Sequence, residues 1–301
     1  TSENLEDVGK AVTWLGESVA VTGGHATVVR SSVMNTVFLS YYFRTEEFSR
    51  KKQRYSRGTK VIELSAVNLA KILIPVPPLE VQCEIVRILD QFTTLEAELE
   101  AELEARRAQY EYYREQLLSY DSIVEHCSDE VKYRSLGDLI RIRNGRDYKM
   151  LSSGTVPVYG SGGVMTHVSE AIGVGPTVLI PRKGSLDNIF FVEGPFWTVD
   201  TIFYTEIGSE IEPKYLYYNL KKMRLSQMNE AAGVPSMNQR KLNRIQILLP
   251  SIEEQRRIAD VLDRFDALVN DISSGLPAEI AARRAQYEYY RDRLLSFPEK
   301  K

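Results

Sequence analysis

The sequence predicts an α+β protein: two units of mixed sheet plus small helices, joined by two long antiparallel coiled-coil helices. Three observations predict it. RRAQYEYYREQLLSY at residues 106–120 recurs as RRAQYEYYRDRLLSF at 283–297, an offset of 177. In both halves a stretch rich in Val, Ile, Tyr, Phe and Gly precedes a helix-patterned one. The helix-patterned stretches keep one apolar face for about 35 residues amid dense Glu and Arg, the pattern of a long helix that buries a stripe on another helix.

The repeat continues upstream at an offset of 173. Gln82, Ile85, Leu89, Asp90 and Phe92 align with Gln255, Ile258, Leu262, Asp263 and Phe265. Val61, Leu69, Ile72, Ile74 and Pro77 align with Val234, Leu242, Ile245, Ile247 and Pro250. A period of this size is a domain duplication rather than a solenoid. The extra residues of the second copy fall in DISSGLPAE (271–279), where Gly275 and Pro277 interrupt a helix. An insertion of about one helical turn leaves the apolar face in phase.

The elements follow in order. Residues 1–77 are the closing part of a first globular unit, ending in the apolar strand and prolines of KILIPVPP. Residues 78–120 are the first long helix, with Leu95, Leu99 and Leu103 at four-residue spacing and then Tyr110, Tyr113 and Leu117. Residues 121–130 are a linker, and 131–250 a second globular unit closing on the strand of QILLPSIEEQ. Residues 251–297 are the second long helix and 298–301 a tail; Ser251 and Glu254 have the spacing of a capping box. Ile258, Leu262, Phe265 and Leu268 mark its buried face. Such a helix can lie on its own unit or on the other copy's helix. The stripe shared by both copies favours an antiparallel pair that spaces the units, about 45 Å for 30 residues.

Bulk composition narrows the function classes. No apolar run reaches the roughly 18 residues of a membrane span, and no signal segment opens the chain. Cys83 and Cys127 sit in unrelated contexts, so no disulfide framework is implied and a cytoplasmic setting is expected. The net charge of −3 argues mildly against nucleic acid, so any such surface must arise from local segregation of charge.

LPSIEEQRRIADVLDRF (249–265) and IPVPPLEVQCEIVRILDQF (74–92) look like the helix entrances of type I restriction-modification specificity subunits. VYGSGG (158–163) and GVPSMNQRKLNRIQILLP (233–250) are similar to the middle and end of that family's target-recognition domains. The resemblance covers essentially the whole chain and rests on the order and duplication of the motifs. It implies a non-catalytic subunit whose two target-recognition domains read the halves of a split site on double-stranded DNA. The helices would set the gap and dock methyltransferase (modification) subunits, with a restriction (translocase/endonuclease) subunit joining them. S-adenosylmethionine, ATP and Mg2+ are then expected on the partner subunits, with no cofactor or metal on this chain and no membrane. Aligning TSENLEDVGKAVTW with RKGSLDNIFFVEGPFW makes the first domain short of its opening half, as in a fragment or a rearranged gene product.

The residues themselves offer no catalytic constellation. No Asn/Asp-Pro-Pro-aromatic loop, Gly-rich cofactor turn or phosphate-binding loop is present; the GSGG at 160–163 reads as a turn. Asp129, Glu130 and Lys132 lack the acidic partner of a nuclease site, and His126 beside Cys127 has the wrong spacing for zinc. His25 and His167 read as surface or partly buried side chains.

Three stretches have the charge and polarity to contact DNA. Arg50, Lys51, Lys52, Arg54 and Arg57 form one; a solvated helix face is the competing reading. Arg141, Arg143, Asn144, Arg146 and Lys149 form the second, around an Asn-Gly-Arg turn able to enter a groove. Arg182, Lys183, Ser185 and Asn188 follow the apolar strand TVLIP. Tyr159 and Ser161 could join from the neighbouring glycine turn, and Ser236, Asn238, Gln239 and Arg240 from the loop before the last strand. Arg106, Arg107, Arg283 and Arg284 suit acidic neighbours or a partner subunit better than bases. A coiled-coil scaffold whose globular ends bind protein remains the alternative, kept open by the acidic net charge.

Overall fold

The computed structural model describes residues 2–126, 131–229 and 233–298. It forms two compact units: Thr1–Glu104 with Asp271–Lys301 (unit 1), and Ala105–Asn270 (unit 2). In chain order, helices α1 (Thr36–Tyr42), α2 (Glu46–Tyr55), α3 (Ala66–Leu69), α4 (Leu79–Leu117) and α5 (Tyr120–His126) come first. Then come β1 (Lys132–Ser135), α6 (Leu136–Leu139), β2 (Ile140–Asn144), β3 (Ser153–Gly160), β4 (Gly163–Val168) and β5 (Gly173–Val174). They are followed by β6 (Thr177–Pro181), β7 (Phe190–Val192), β8 (Pro195–Thr198), β9 (Ile202–Ile207) and α7 (Pro213–Lys222). α8 (Gln239–Asn243), β10 (Gln246–Leu249), α9 (Ile252–Asn270) and α10 (Leu276–Leu294) complete the order.

Unit 2 carries the mixed sheet. Its strands form a β1-β10 ribbon, a four-stranded sheet ordered β2-β9-β6-β7, and a second ordered β4-β3-β8-β5, with β3 and β8 parallel. The TVLIP run of β6 is buried along its whole length, as expected of a strand with neighbours on both edges and cover on both faces. Alternation in β3 buries Val156 and Val158 against Val168, Trp197 and Val199. Thr177 and Thr205, both buried, cross-link β6 and β9: the Thr177 hydroxyl donates to Thr205 O and accepts from Thr205 N, and the Thr205 hydroxyl donates to Val178 O and accepts from Val178 N.

The duplication is visible atom by atom at the helix entrances. Gln255 is buried; its Oε1 accepts from Glu212 N (2.9 Å) and its Nε2 donates to Pro250 O (2.9 Å) and Glu210 O (3.1 Å). Gln82, also buried, accepts from Asn35 N (2.7 Å) and donates to Pro77 O (2.8 Å) and Val33 O (3.4 Å). Each glutamine thus ties the residue that caps α1 or α7 to the turn that starts a long helix. Tyr41 donates to Asp90 as Tyr218 does to Asp263. Burial and Asp90 push the Tyr41 hydroxyl up to about 12.

The helix stripes pair within each unit. In unit 1, Leu95, Leu99 and Leu103 of α4 pack on Leu276 and Ile280 of α10. Phe92 stacks on Tyr290 (5.6 Å), and Arg284 pairs with Glu96 and Glu100. Rising numbers on α4 meet falling numbers on α10, so the pair is antiparallel. In unit 2, Tyr113 of α4 stacks on Phe265 of α9 (5.3 Å), the same contact one repeat away. Tyr110 and Tyr287 each lie under an arginine, Arg114 and Arg291, at 5.5 and 5.6 Å. Leu295, beyond α10, enters the unit 1 core with Phe38, Leu39, Tyr42 and Leu89.

The second long helix is in two pieces, with Gly275 at the start of α10 and Pro277 in its first turn. Ser273 and Ser274 donate to Asp271 in the break and hold its carboxyl down at about 2. The segment read as a linker begins with α5, and its residues 127–130 lie outside the described residues, with Cys127, Asp129 and Glu130.

One local expectation fails. KILIPVPP of the first copy is not a strand: residues 73–78 are irregular, with Leu73 almost fully exposed. Its counterpart β10 is held by β1, and unit 1 offers no such partner among the described residues, where only the isolated bridges Ser2–Ile62 and Arg57–Glu63 form. A strand has no internal hydrogen bonds, so without a neighbour the same pattern stays irregular.

Candidate nucleic-acid interface

Five loops of unit 2, separated by up to about 95 residues in sequence, are stitched together by short contacts. The first follows β2. Arg146 N donates to Thr198 O (2.8 Å) and Trp197 Nε1 to Arg146 O (2.9 Å), so the Asn144-Gly145-Arg146 turn is bound to the β8–β9 connection. Gly145 is required there: a Cβ would sit 2.0 Å from Val199 O and 2.5 Å from Thr198 O.

The second loop is the β3–β4 turn, where Gly163 takes a φ of +115°. Val199 N donates to Tyr159 O (3.0 Å), tying it to the same connection. The third follows β6: Arg182 N donates to Thr201 O (2.9 Å), and Asn188 Nδ2 to Ser161 O (3.0 Å). The fourth is the Val199–Thr201 connection itself. The fifth, Pro235–Gln239, runs beside the third. Gly184 N donates to Pro235 O, Met237 N to Arg182 O (both 2.9 Å), and Lys183 bridges Ser236. Gln239 Nε2 then reaches Asn144 Oδ1 (3.3 Å), closing the ring of loops.

This rim gathers most candidates of the second unit. Arg146, Lys149, Lys183, Ser185, Asn188, Ser236, Asn238 and Arg240 are exposed; Tyr159, Ser161, Arg182 and Gln239 are half-buried. The Arg182 guanidinium lies 5.9 Å from the Phe203 ring centre and is steadied by Asp200 O. Arg146, Lys149, Arg182, Lys183 and Arg240 form no ion pair among the described residues. They give the rim a positive excess over Asp147, Asp187 and Asp200, although the chain as a whole is acidic. Tyr159 packs on Phe190, and burial raises its hydroxyl pKa. Asn238 spends its side-chain oxygen on Lys241 N, capping α8.

Other candidates are placed differently. Arg143 makes two bonds to Glu206 of β9 (2.9 and 3.0 Å), which hold that carboxyl below its ordinary range. Arg141 lies opposite Glu206 in the β2–β9 ladder. In unit 1, Lys52 is buried: its ammonium donates to Glu6 O (2.9 Å) and Val8 O (2.7 Å) and anchors the N-terminal segment. Lys51 bonds Tyr42 Oη, Leu73 O and Glu47. Arg57 is exposed and bonds the Arg54 and Ser56 carbonyls; Arg50 and Arg54 are exposed. The basic run of α2 is therefore partly a fastening for its own unit. Arg284 pairs with Glu96 and Glu100, in line with the expectation of acidic neighbours.

Sequence reasoning missed Asp200 and Thr201, whose carbonyls hold the Arg182 loop. The available signal was a turn-forming Asp-Thr pair between the apolar runs PFWTV and IFYT.

Comparison with known proteins gives consistent findings. A family profile described as "Type I restriction modification DNA specificity domain" matches residues 9–105 and 128–282. The specificity subunit of the type I restriction enzyme EcoR124I/EcoR124II of Escherichia coli is 37% identical over 273 residues, covering 78% of this chain and 65% of that subunit. That of the Escherichia coli EcoprrI enzyme is 34% identical over 258 residues, covering 78% of this chain and 62% of the relative. The chain thus spans under two thirds of the length of either. A crystal structure of a type I restriction-modification S subunit from M. genitalium shares the fold with a TM-score of 0.61 at 19% identity, over 89% of this chain and 74% of that one.

Proposed function

The chain belongs to the type I restriction-modification DNA specificity family, and from that premise we propose that it recognises a divided target on double-stranded DNA and does no chemistry of its own. The observation that carries this is the rim of unit 2. Cations on phosphates supply affinity and polar side chains on base edges supply discrimination. Arg146, Lys149, Arg182, Lys183 and Arg240 fit the first role, and Asn144, Gln239, Asn188 and Ser161 the second. Unit 1 contributes the other half-site.

Assembly with two methyltransferase subunits and a restriction subunit belongs to the same proposal. S-adenosylmethionine, ATP and Mg2+ would act on those partners. Supporting it, the duplicated RRAQYEYYR is identical in both copies even where solvent-facing, with Tyr112 and Tyr289 both largely exposed. Packing alone imposes no such match on exposed positions. Among the described residues no helix is long and apolar enough to cross a membrane. Cytoplasmic action is part of the proposal.

The test is a domain exchange in the assembled complex. Replacing residues 131–250 with the equivalent unit of another member, then sequencing modified sites in the host, should change one half of the target only. A change in both halves, or in neither, would refute the assignment. Protein binding through the rim, the scaffold alternative, predicts no duplex preference and no steep loss of binding with salt.

A further inference from the structure

Two amide side chains on the unit 2 rim stand on regular elements that reach it from different sides. Asn144 closes β2, in register with Phe203 of β9, and the Gly145 turn bound to the β8–β9 connection follows it. Gln239 opens α8, which Asn238 caps and the fully buried Leu242 anchors. Met237, also buried, fixes the approach to that helix by donating its N–H to Arg182 O. The two side chains meet across 95 residues of sequence, Gln239 Nε2 donating to Asn144 Oδ1 at 3.3 Å.

This contact orients the glutamine amide. Two carbonyl oxygens, or two N–H groups, repel at that distance, so an N–H must face an oxygen. It also leaves capacity unspent: Gln239 Oε1 has no hydrogen-bond partner among the described residues, and Nε2 keeps a second hydrogen. Gln239 is half-buried and Asn144 exposed, so the pair is accessible from solvent. The other rim amides are placed differently. The Asn238 side-chain oxygen is taken by its own helix, and Asn188, bonded to Ser161 O, stands in a loop. A side chain mounted on a strand or helix end is held more precisely than one on a loop.

We propose that Gln239 reads an adenine in the half-site assigned to unit 2, from the major groove, with Asn144 as the positioning residue that holds its amide; this rests on the rim being the surface that unit 2 turns to DNA. Gln239 Oε1 accepts from adenine N6, and the Nε2 hydrogen not used by Asn144 donates to N7. Adenine alone carries an acceptor and a donor side by side on its major-groove edge. Guanine presents two acceptors there, thymine an acceptor and a methyl group, and cytosine a single donor. Guanine would set a carbonyl against the glutamine oxygen, and either pyrimidine would forfeit one of the two bonds.

The test uses the full chain in the assembled complex. Sequencing modified sites in the host gives the half-site of the parent, which should hold one A·T pair whose stringency depends on Gln239. Gln239→Ala and Asn144→Ala should both relax that position, by about tenfold or more, and leave the others unchanged. A duplex carrying 7-deazaadenine there, which lacks the N7 acceptor, should bind the parent complex about fivefold more weakly, the worth of one hydrogen bond. The Gln239→Ala complex should not distinguish the two duplexes. The assignment to adenine is overturned, with the rim reading left standing, if Gln239→Ala relaxes no position, or one that is not A·T, while Arg182→Ala still lowers the salt slope. It is equally overturned if the two variants relax different positions, or if the parent ignores 7-deazaadenine. If Arg182→Ala also leaves the slope unchanged, the rim reading and the adenine assignment fall together.

Discussion

Substituting Gly145 with alanine separates the geometry of the rim from its charge. The new Cβ would lie 2.0 Å from Val199 O and 2.5 Å from Thr198 O, so the turn must move by roughly 1 Å, because such contacts need about 3 Å or more. That displacement breaks the Arg146 N–Thr198 O and Trp197 Nε1–Arg146 O bonds. Each bond contributes about 1 kcal/mol, and overpacking adds about 1–3 kcal/mol. Unit 2 should therefore lose about 3–5 kcal/mol. Urea unfolding followed by Trp197 fluorescence measures this, in a Trp14→Phe background because the chain has two tryptophans. No charge is removed. Duplex affinity of the assembled complex should accordingly fall about tenfold or more, the worth of one misplaced base contact, while the slope of log K against log salt stays that of the parent. Refutation would come from an unchanged unfolding midpoint, or from a slope lower by about 0.9, the mark of a lost phosphate contact.

Arg182→Ala should do the reverse, lowering the salt slope by about 0.9 with little effect on unfolding. Lys52→Ala should leave the slope alone and cost unit 1 about 2 kcal/mol, because the Glu6 and Val8 carbonyls lose a buried donor; titrations at several salt concentrations and urea melts distinguish the two. Gln82→Ala and Gln255→Ala should each destabilise by about 2–4 kcal/mol, since each leaves a buried amide and carbonyls unpartnered. Similar losses in the two variants would confirm that one device is used twice. The Asp271 carboxyl should titrate at about 2 by NMR against an ordinary 3.8. The support it gives the helix break is then complete above 3.8 and fades as pH falls towards 2; Ser273→Ala with Ser274→Ala should return it to the ordinary value.

The duplication, the two helical stripes and the break at Gly275 were legible in the residues because each is a local or periodic signal. A helix closes its own hydrogen bonds, so its pattern means the same thing wherever it occurs. The stripe with Leu95, Leu99 and Leu103 and the Phe92/Phe265 positions accordingly meet their partners as expected. The basic and polar loop residues were legible as types, and unit 2 gathers most of them on one rim.

What the sequence could not tell is which of them are presented. Arg143 and Arg146 differ by three positions and both are exposed, yet Arg143 is bonded to Glu206 while Arg146 forms no ion pair among the described residues. Lys51 and Lys52 look alike in a basic run, yet Lys52 is buried against two carbonyls. A strand's meaning likewise depends on residues elsewhere: QILLP is a strand because β1 lies beside it, and KILIP, nearly the same string, is not. The amino acids by themselves determined the repeat, the helices and the supply of basic and polar loop residues. Only the tertiary structure decided pairing and presentation, because strand partners and ion pairs are nonlocal contacts that no spacing along the chain encodes.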